Sequence, residues 1–343
     1  MRRIKKSLLI LSVTLLILAT VGTEFVNMVG AKPAEVTYDS TYHYTRQVGE
    51  LGGATYEIFM PDNWNGHLVI GCKGFTTSTN PIPAIDSLNT HTIGLQFMTS
   101  TADTRFAYAQ STYGTVGFCM QEGIIHAHQL TRYVIDNFHV TGKVFLIGLS
   151  MGGQIALMLT HKYPDLYAGV LDVCGNKDST AFYNYWRDLS SLPADASVIR
   201  TYLNGPPAYL PTSFTDSITD IQLLGTRVNA LYPVMADVEA EFGGTPESKP
   251  QAYDRMSPTC HPELTVPVIS MVARLDRLVP IQHFNDYYDA VQAVGCIDYY
   301  RCYRFPAIHV APAIINAVPT YFQMLFDWAN GGPAPDATPK PYP

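Results

Sequence analysis

The chain is poor in charge, and what it lacks narrows it first. Aspartate, glutamate, lysine and arginine make up 15% of its 343 residues, against 47% hydrophobic residues. That balance excludes an intrinsically disordered protein, because there is ample apolar surface to offset the entropy of ordering the chain. Positive charge is scarce too: 22 lysines and arginines stand against 29 acids, a net charge of −7. A nucleic-acid partner calls for a basic stripe, so that class is excluded as well. The six cysteines (Cys72, Cys119, Cys174, Cys260, Cys296, Cys302) show no C-x-x-C spacing, and no H-x-x-x-H pair accompanies them, which speaks against a zinc site. Internal repeats are missing.

What is present begins with an export pattern. "MRRIKK" is basic, "SLLILSVTLLILATVG" is an apolar run of about 16 residues, and Val29-Gly30-Ala31 ends in small residues. Together they predict a secretory signal peptide over 1–31, with an uncleaved anchor as the alternative. Either places the body outside the cytoplasm, and no stable membrane partner is expected after cleavage. Removing residues 1–31, which hold Arg2, Arg3, Lys5, Lys6 and Glu24, takes the net charge from −7 to −10. An oxidising compartment permits disulfides, and one or more are expected among 15 possible pairings, with Cys72 and Cys174 buried in strands.

The remainder is long enough for one large core or a core with an inserted subdomain. "ATYEIFMP" predicts an alternating strand; "HLVIGC", "FAYAQS", "VFLIGLS" and "GVLDVCG" predict buried ones. Helical spacing runs through "QEGIIHAHQLTRYVIDNF", and "GQIALMLTHKYP" starts a helix that ends before Pro164. Strands alternating with helices imply an α/β fold whose mostly parallel sheet has helices on both faces. The core is expected over 32–175 and 264–330. Between them, 176–263 has no strong strand and mixes aromatics with Pro, Ser and Asp, which predicts a mostly helical cap. "VPVISMVA" and "YYRCYRF" resume the sheet, "TYFQMLFDWANGG" closes it, and the Pro-rich tail over 331–343 is expected to be disordered.

"VFLIGLSMGG" breaks an apolar strand at Ser150 between small residues. Such a corner lifts a serine above the end of a sheet, where it becomes a candidate nucleophile, although glycines at a strand-to-helix turn can also serve packing alone. A serine hydroxyl needs a base and a group that orients the base. Asp276 follows "VPVISMVA" and His309 follows "YYRCYRF", both in loops at the carboxyl ends of strands, where open α/β sheets build their sites. Asp178 is the rival acid because it follows "GVLDVCG". Asp172, inside that strand, reads as a packed or paired carboxylate.

The strand, serine elbow and helix, with the order Ser, Asp, His, resemble the α/β-hydrolase fold from about Val36 to Asn330. "PDNWNGHLVIGCKGF", "FAYAQSTYG", "GLSMGGQIAL", "YPDLYAGVLDVCG" and "ARLDRLVP" look more narrowly like secreted esterases and feruloyl-esterase-like enzymes. The resemblance implies a carboxylic ester hydrolase acting through an acyl-enzyme on Ser150, with no cofactor and with a small-molecule or polymeric ester as substrate, an aryl, feruloyl-type or polyester ester being the candidates. It also implies oxyanion donors at the backbone N–H groups of Met151 and Phe75. A serine peptidase of the same fold, or a non-catalytic binding protein that kept it, are the other readings. Lys73 departs from the family, which usually has histidine there. It reads either as a solvated, snorkelling residue or as a residue favouring an anionic substrate group. Phe75, Phe182, Tyr185 and Trp186 are candidate substrate contacts, against the reading that the cap aromatics form the cap's own core.

Overall fold

The computed structural model describes residues 32–99, 105–191, 232–276 and 278–338. The signal-peptide segment, the 192–231 part of the expected cap and the last five residues lie outside them. Nine strands form one sheet: β1 (Lys32–Asp39), β2 (Tyr44–Leu51), β3 (Ala54–Pro61), β4 (Trp64–Cys72), β5 (Arg105–Ser111), β6 (Val144–Leu149), β7 (Gly169–Val173), β8 (Val268–Ala273) and β9 (Tyr300–Phe305). Their order is β1-β2-β3-β5-β4-β6-β7-β8-β9. Pairing is antiparallel from β1 to β3 and between β3 and β5. From β5 across to β9 every neighbouring pair is parallel.

The helices are α1 (Asn89–Thr99), α2 (Met120–Phe138), α3 (Met151–Lys162), α4 (Ser179–Ser191), α5 (Tyr232–Phe242), α6 (Pro250–Asp254), α7 (Ile281–Ala293), α8 (Pro312–Ile315) and α9 (Val318–Ala329). One face of the sheet is covered by α2, α3 and α7 through Ile124, Leu130, Ile155 and Phe284. Its other face is covered by α1 and α9 through Ile93, Phe97, Phe322 and Leu325. Every residue of β6, β7 and β8 is therefore buried, as uninterrupted apolar runs require. In α2 the buried Ile124, Ala127, Leu130 and Val134 recur every three or four residues, and His139 ends the helix in a left-handed conformation (φ 57°).

The architecture agrees with the expected α/β-hydrolase arrangement, with departures of physical interest. β1 and β2 were not anticipated, because β2 is only half-buried along nearly its whole length and carries no apolar run. β3 is not a half-exposed alternating strand. Its Glu57 is fully buried, accepting hydrogen bonds from Arg46 Nε (2.8 Å) and His91 Nδ1 (2.7 Å), so both faces are covered. No disulfide forms. All six cysteines are free thiols, dispersed over β4, the start of α2, the residue after β7, the turn after α6, the turn after α7 and β9. The tail to Thr338 is not disordered: Arg301 Nε donates to Pro335 O (2.8 Å) and Cys302 N to Thr338 Oγ1 (2.8 Å). Because β9 is the edge of the sheet, the tail occupies donors that would otherwise invite another strand. Between β7 and β8 the described elements longer than a single turn are all helical.

Candidate active site

β6 ends at Leu149 and α3 begins at Met151, leaving Ser150 alone at the corner with φ 55° and ψ −123°. Few residues with a side chain adopt that conformation, and it persists only where the surroundings hold it. Here the hold is the absence of side chains. A Cβ on Gly148 would lie 2.1 Å from Gly152 O, one on Gly152 2.0 Å from Cys72 O, and one on Gly153 2.1 Å from Asp172 Oδ1. Two backbone bonds close the turn: Ser150 N donates to Val173 O (2.8 Å), and Ser150 O accepts from Gly153 N (2.9 Å).

Asp276 sits just past β8, its carboxylate fully buried. Asp276 Oδ1 accepts from Leu278 N (2.8 Å) and Val279 N (2.9 Å), while Oδ2 lies 2.6 Å from His309 Nδ1. An ionised carboxylate only accepts, so Nδ1 carries the proton and Nε2 is the ring nitrogen left for other work. Asp178 is engaged elsewhere, accepting from Ala181 N (2.8 Å) and Thr259 Oγ1 (2.7 Å). Asp172 is the paired carboxylate that its place inside β7 implies. It receives Lys177 Nζ (2.6 Å), Ser270 Oγ and Gly175 N (3.0 Å).

Sequence reasoning did not place Cys174 here, although it directly follows β7 at the carboxyl end of a strand. Its Sγ, an Asp276 oxygen and a His309 nitrogen all lie within 4.8 Å of one another. Among the described residues this is the sole trio spaced to hold a metal ion, yet the ring and the carboxylate are already bonded to each other. Burial pushes the thiol pKa up, so the sulfur is a neutral neighbour of the pair.

Ser150 and His309 line one cleft of about 410 Å³, a size suited to a small ligand. Phe75 lines it, preceded by Gly74, on which a Cβ would lie 3.3 Å from Ser150 Cβ. The loop that carries the Phe75 N–H thus runs against the serine. Met151 opens α3, so its N–H has no intrahelical acceptor. Phe182 and Trp186 of α4 also line the cleft, whereas Tyr185 does not: its ring packs edge-on against Trp186 (5.2 Å). The same rings build a core, with Phe118 stacked on Phe182 (5.5 Å) and Phe75 6.5 Å from Phe118. One wall was missed altogether. It comes from Pro83, Ser87, Leu88, Asn89 and Thr90, a stretch without apolar periodicity that only the docking of α1 brings to the serine.

Lys73 overturns the solvated reading. It is 2% exposed, its Nζ lies 4.7 Å above the ring of Tyr113, and that nitrogen has no hydrogen-bond partner among the described residues. Burial holds its pKa below the usual lysine range. Stacking on one ring recovers about 0.5–2 kcal/mol, less than the several kcal/mol that desolvating an ammonium costs.

Sheet order, covering helices and the serine corner define the α/β-hydrolase fold. A family model described as "Putative esterase" matches residues 124–203, the stretch that contains Ser150. Among solved structures, feruloyl esterase B from Aspergillus oryzae superposes with a TM-score of 0.59 at 13% identity, covering 90% of this chain and 88% of that one. The rice cell wall degrading esterase LipA from Xanthomonas oryzae gives 0.55 at 13% identity over 87% and 98%. An esterase/lipase from an uncultured bacterium gives 0.53 at 12% over 86% and 87%. No curated protein matches in sequence. At these identities the structures establish the fold, and the family model adds support for a carboxylic ester hydrolase.

Two stability predictions follow from this packing. Gly152→Ala forces a Cβ into the Cys72 carbonyl and should cost about 3 kcal/mol or more, read as a fall in melting temperature; an unchanged melting temperature would contradict the close approach. Lys73→Met removes an unpaired buried charge and should raise the melting temperature by the equivalent of at least about 1 kcal/mol, whereas a lowered one would mean that the ammonium has a partner.

Proposed function

We propose that the protein is a serine hydrolase of carboxylic esters working through an acyl-enzyme on Ser150. The observation that carries the reading is the fully buried Asp276 bonded to His309 Nδ1 at 2.6 Å, with His309 and Ser150 lining the same cleft. Ser150 Oγ attacks the ester carbonyl carbon while His309 Nε2 takes its proton. Asp276 fixes the ring and stabilises the imidazolium, which then protonates the departing alkoxide. The N–H groups of Phe75 and Met151 hold the oxyanion, each donor contributing about 3 kcal/mol in the transition state. Water, deprotonated by the same histidine, releases the acid and restores Ser150. No cofactor enters this scheme.

Ester rather than peptide substrates are favoured by the lining. No aspartate or glutamate lines the cleft among the described residues, so nothing there would receive the free amino terminus of a peptide. Phe75, Phe182 and Trp186 supply apolar surface suited to an aryl or long-chain group. The proposed division is a hydrolase core over 32–175 and 264–330 and a cap over 176–263 that selects substrate by covering the cleft. Export rests on the basic, apolar and small-residue order of 1–31.

Ser150→Ala and His309→Ala should each lower hydrolysis of a 4-nitrophenyl ester by several orders of magnitude with the fold intact. More than a tenth of the activity surviving in Ser150→Ala would refute the nucleophile. Asp276→Asn should cost about 10⁴-fold in kcat and Asp178→Asn far less; the reverse ranking would move the acid to the loop after β7. Mass spectrometry of the protein from the native host should find the chain starting near Lys32 outside the cytoplasm, and an intact Met1 in the cytosol would contradict export.

A further inference from the structure

The loop after β4 carries the Phe75 N–H, and bonds within the loop do not fix its place. Asn80 N donates to Thr77 O (3.0 Å) and Thr77 Oγ1 lies 3.2 Å from Thr79 Oγ1, contacts that travel with the loop. Past Phe75 it is tied to other segments at Thr76 and at Ser78. Thr76 O accepts from Gly117 N (2.6 Å), an isolated bridge to the stretch before α2. Ser78 N donates to Asp237 Oδ2 (3.0 Å) on α5, in the segment between β7 and β8. Asp237 also packs over the bridge, since a Cβ built on Gly117 would sit 3.6 Å from its Cγ. One carboxylate from outside the core therefore touches both sides of the place where the loop is held.

The contrast with Glu241 shows why this bond concerns the reaction. Asp237 is buried, and Glu241 follows it by one helical turn on the same face of α5. Glu241 Oε1 accepts from Gln121 N (2.7 Å) at the start of α2. Both carboxylates thus receive a backbone N–H of the core, but the two amides lie in different places. The one held by Glu241 opens a helix, whereas the one held by Asp237 is in the loop whose Gly74 runs against Ser150. Aromatic packing repeats the second link. Phe118, next to Gly117, lies 6.5 Å from the Phe75 ring and meets Phe242, at the end of α5, edge-on at 5.9 Å.

We infer that Asp237 is a positioning residue for ester cleavage: through Ser78 N it holds the loop so that the Phe75 N–H meets the carbonyl oxygen of the ester that Ser150 attacks. This rests on the ester-hydrolase reading and deepens it, giving the segment between β7 and β8 a part in the chemical step besides lining the cleft. Asp237 is not among the residues that line the cleft, so its effect reaches the substrate only through the backbone from Phe75 to Ser78. An oxyanion donor works when it is held about 3 Å from the charge that develops, and a displacement of about 1 Å can cost ~100-fold in rate. A loop released at Ser78 keeps its bridge at Thr76, so the expected loss is partial.

The test is steady-state hydrolysis of 4-nitrophenyl acetate by the full-length protein and its variants, with folding checked by circular dichroism. Asp237→Ala and the similarly sized Asp237→Leu both lack the acceptor and should lower kcat about tenfold or more while KM stays within about twofold. If one of them fails to fold, the other decides. Their affinity for phenylboronic acid should fall by about the same factor as kcat, because its tetrahedral adduct on Ser150 places an oxygen where the oxyanion forms. Asp237→Asn, whose Oδ1 still accepts from Ser78 N, should keep most of the wild-type kcat. Glu241→Ala removes the tie to α2 and leaves the loop bonded to Asp237, so its kcat should stay within about twofold of wild type. An unchanged kcat in Asp237→Ala, a change confined to KM, recovery in Asp237→Leu or an equal loss in Asp237→Asn would each overturn the inference. So would an equal loss in Glu241→Ala, which would make Asp237 a fastening of the segment and nothing more. In all of these cases Ser150-dependent cleavage by the wild-type protein leaves the hydrolase standing, whereas a wild-type protein that cleaves no ester would overturn both.

Discussion

The site depends on a steric constraint in which three positions around one serine have no room for a side chain. The strand-to-helix corner at Ser150 turns through a conformation with φ 55°. That turn closes only because Gly152 reaches the Cys72 carbonyl and Gly153 reaches the Asp172 carboxylate, distances at which any Cβ would collide. The same contacts lock β4 to α3 and β7 to α3. The loop after β4, which carries Lys73, Gly74 and Phe75, therefore comes to lie against the serine. Fixing one corner sets Ser150, the loop through Phe75 and a wall of the cleft against one another.

The polar interior beneath that corner shows how the fold treats buried charge. Asp172 is balanced by Lys177, Ser270 and the Gly175 amide, and Glu57 by Arg46 and His91. Desolvation is offset at these places because every charged atom has a near partner. Lys73 stands apart as a buried cation with a ring for company. Unlike Lys177, its Nζ has no hydrogen-bond partner among the described residues.

The segment between β7 and β8 is joined to the core by more than apolar contact. Asp237 of α5 accepts from Ser78 N (3.0 Å), in the loop that follows Phe75, and Glu241 accepts from Gln121 N (2.7 Å) at the start of α2. Burial raises the Glu241 pKa to about 7. Tyr183 of α4 donates to Glu239 of α5, tying the two helices together. The segment contributes Phe182, Trp186 and Val234 to the lining of the cleft and braces the loop that follows Phe75.

The sequence by itself determined whatever depends on neighbours within a turn or a strand. Alternation located β3 and apolar runs β4 to β9, helical spacing located α2, Ser150 and Pro164 bounded α3, Gly331 and Gly332 stopped α9, and the glycines around Ser150 marked the corner, because each is a local steric or burial pattern. β1, β2, α1, α7 and α8 went unread, although the buried Ile93 and Phe97 of α1 do recur at helical spacing. Tertiary structure alone decided what depends on groups far apart in the chain. It chose Asp276 over Asp178 as the partner of His309, since both acids follow strands and only three-dimensional docking of two loops distinguishes them. It put Lys73 under Tyr113 instead of in water, set Cys174 beside the His–Asp pair, turned Phe182 and Trp186 but not Tyr185 to the cleft, and laid the Pro-rich tail along β9. The physical reason is common to all of these: a side chain's type is written in the chain, but its dielectric surroundings and partners are supplied by segments that become neighbours only on folding.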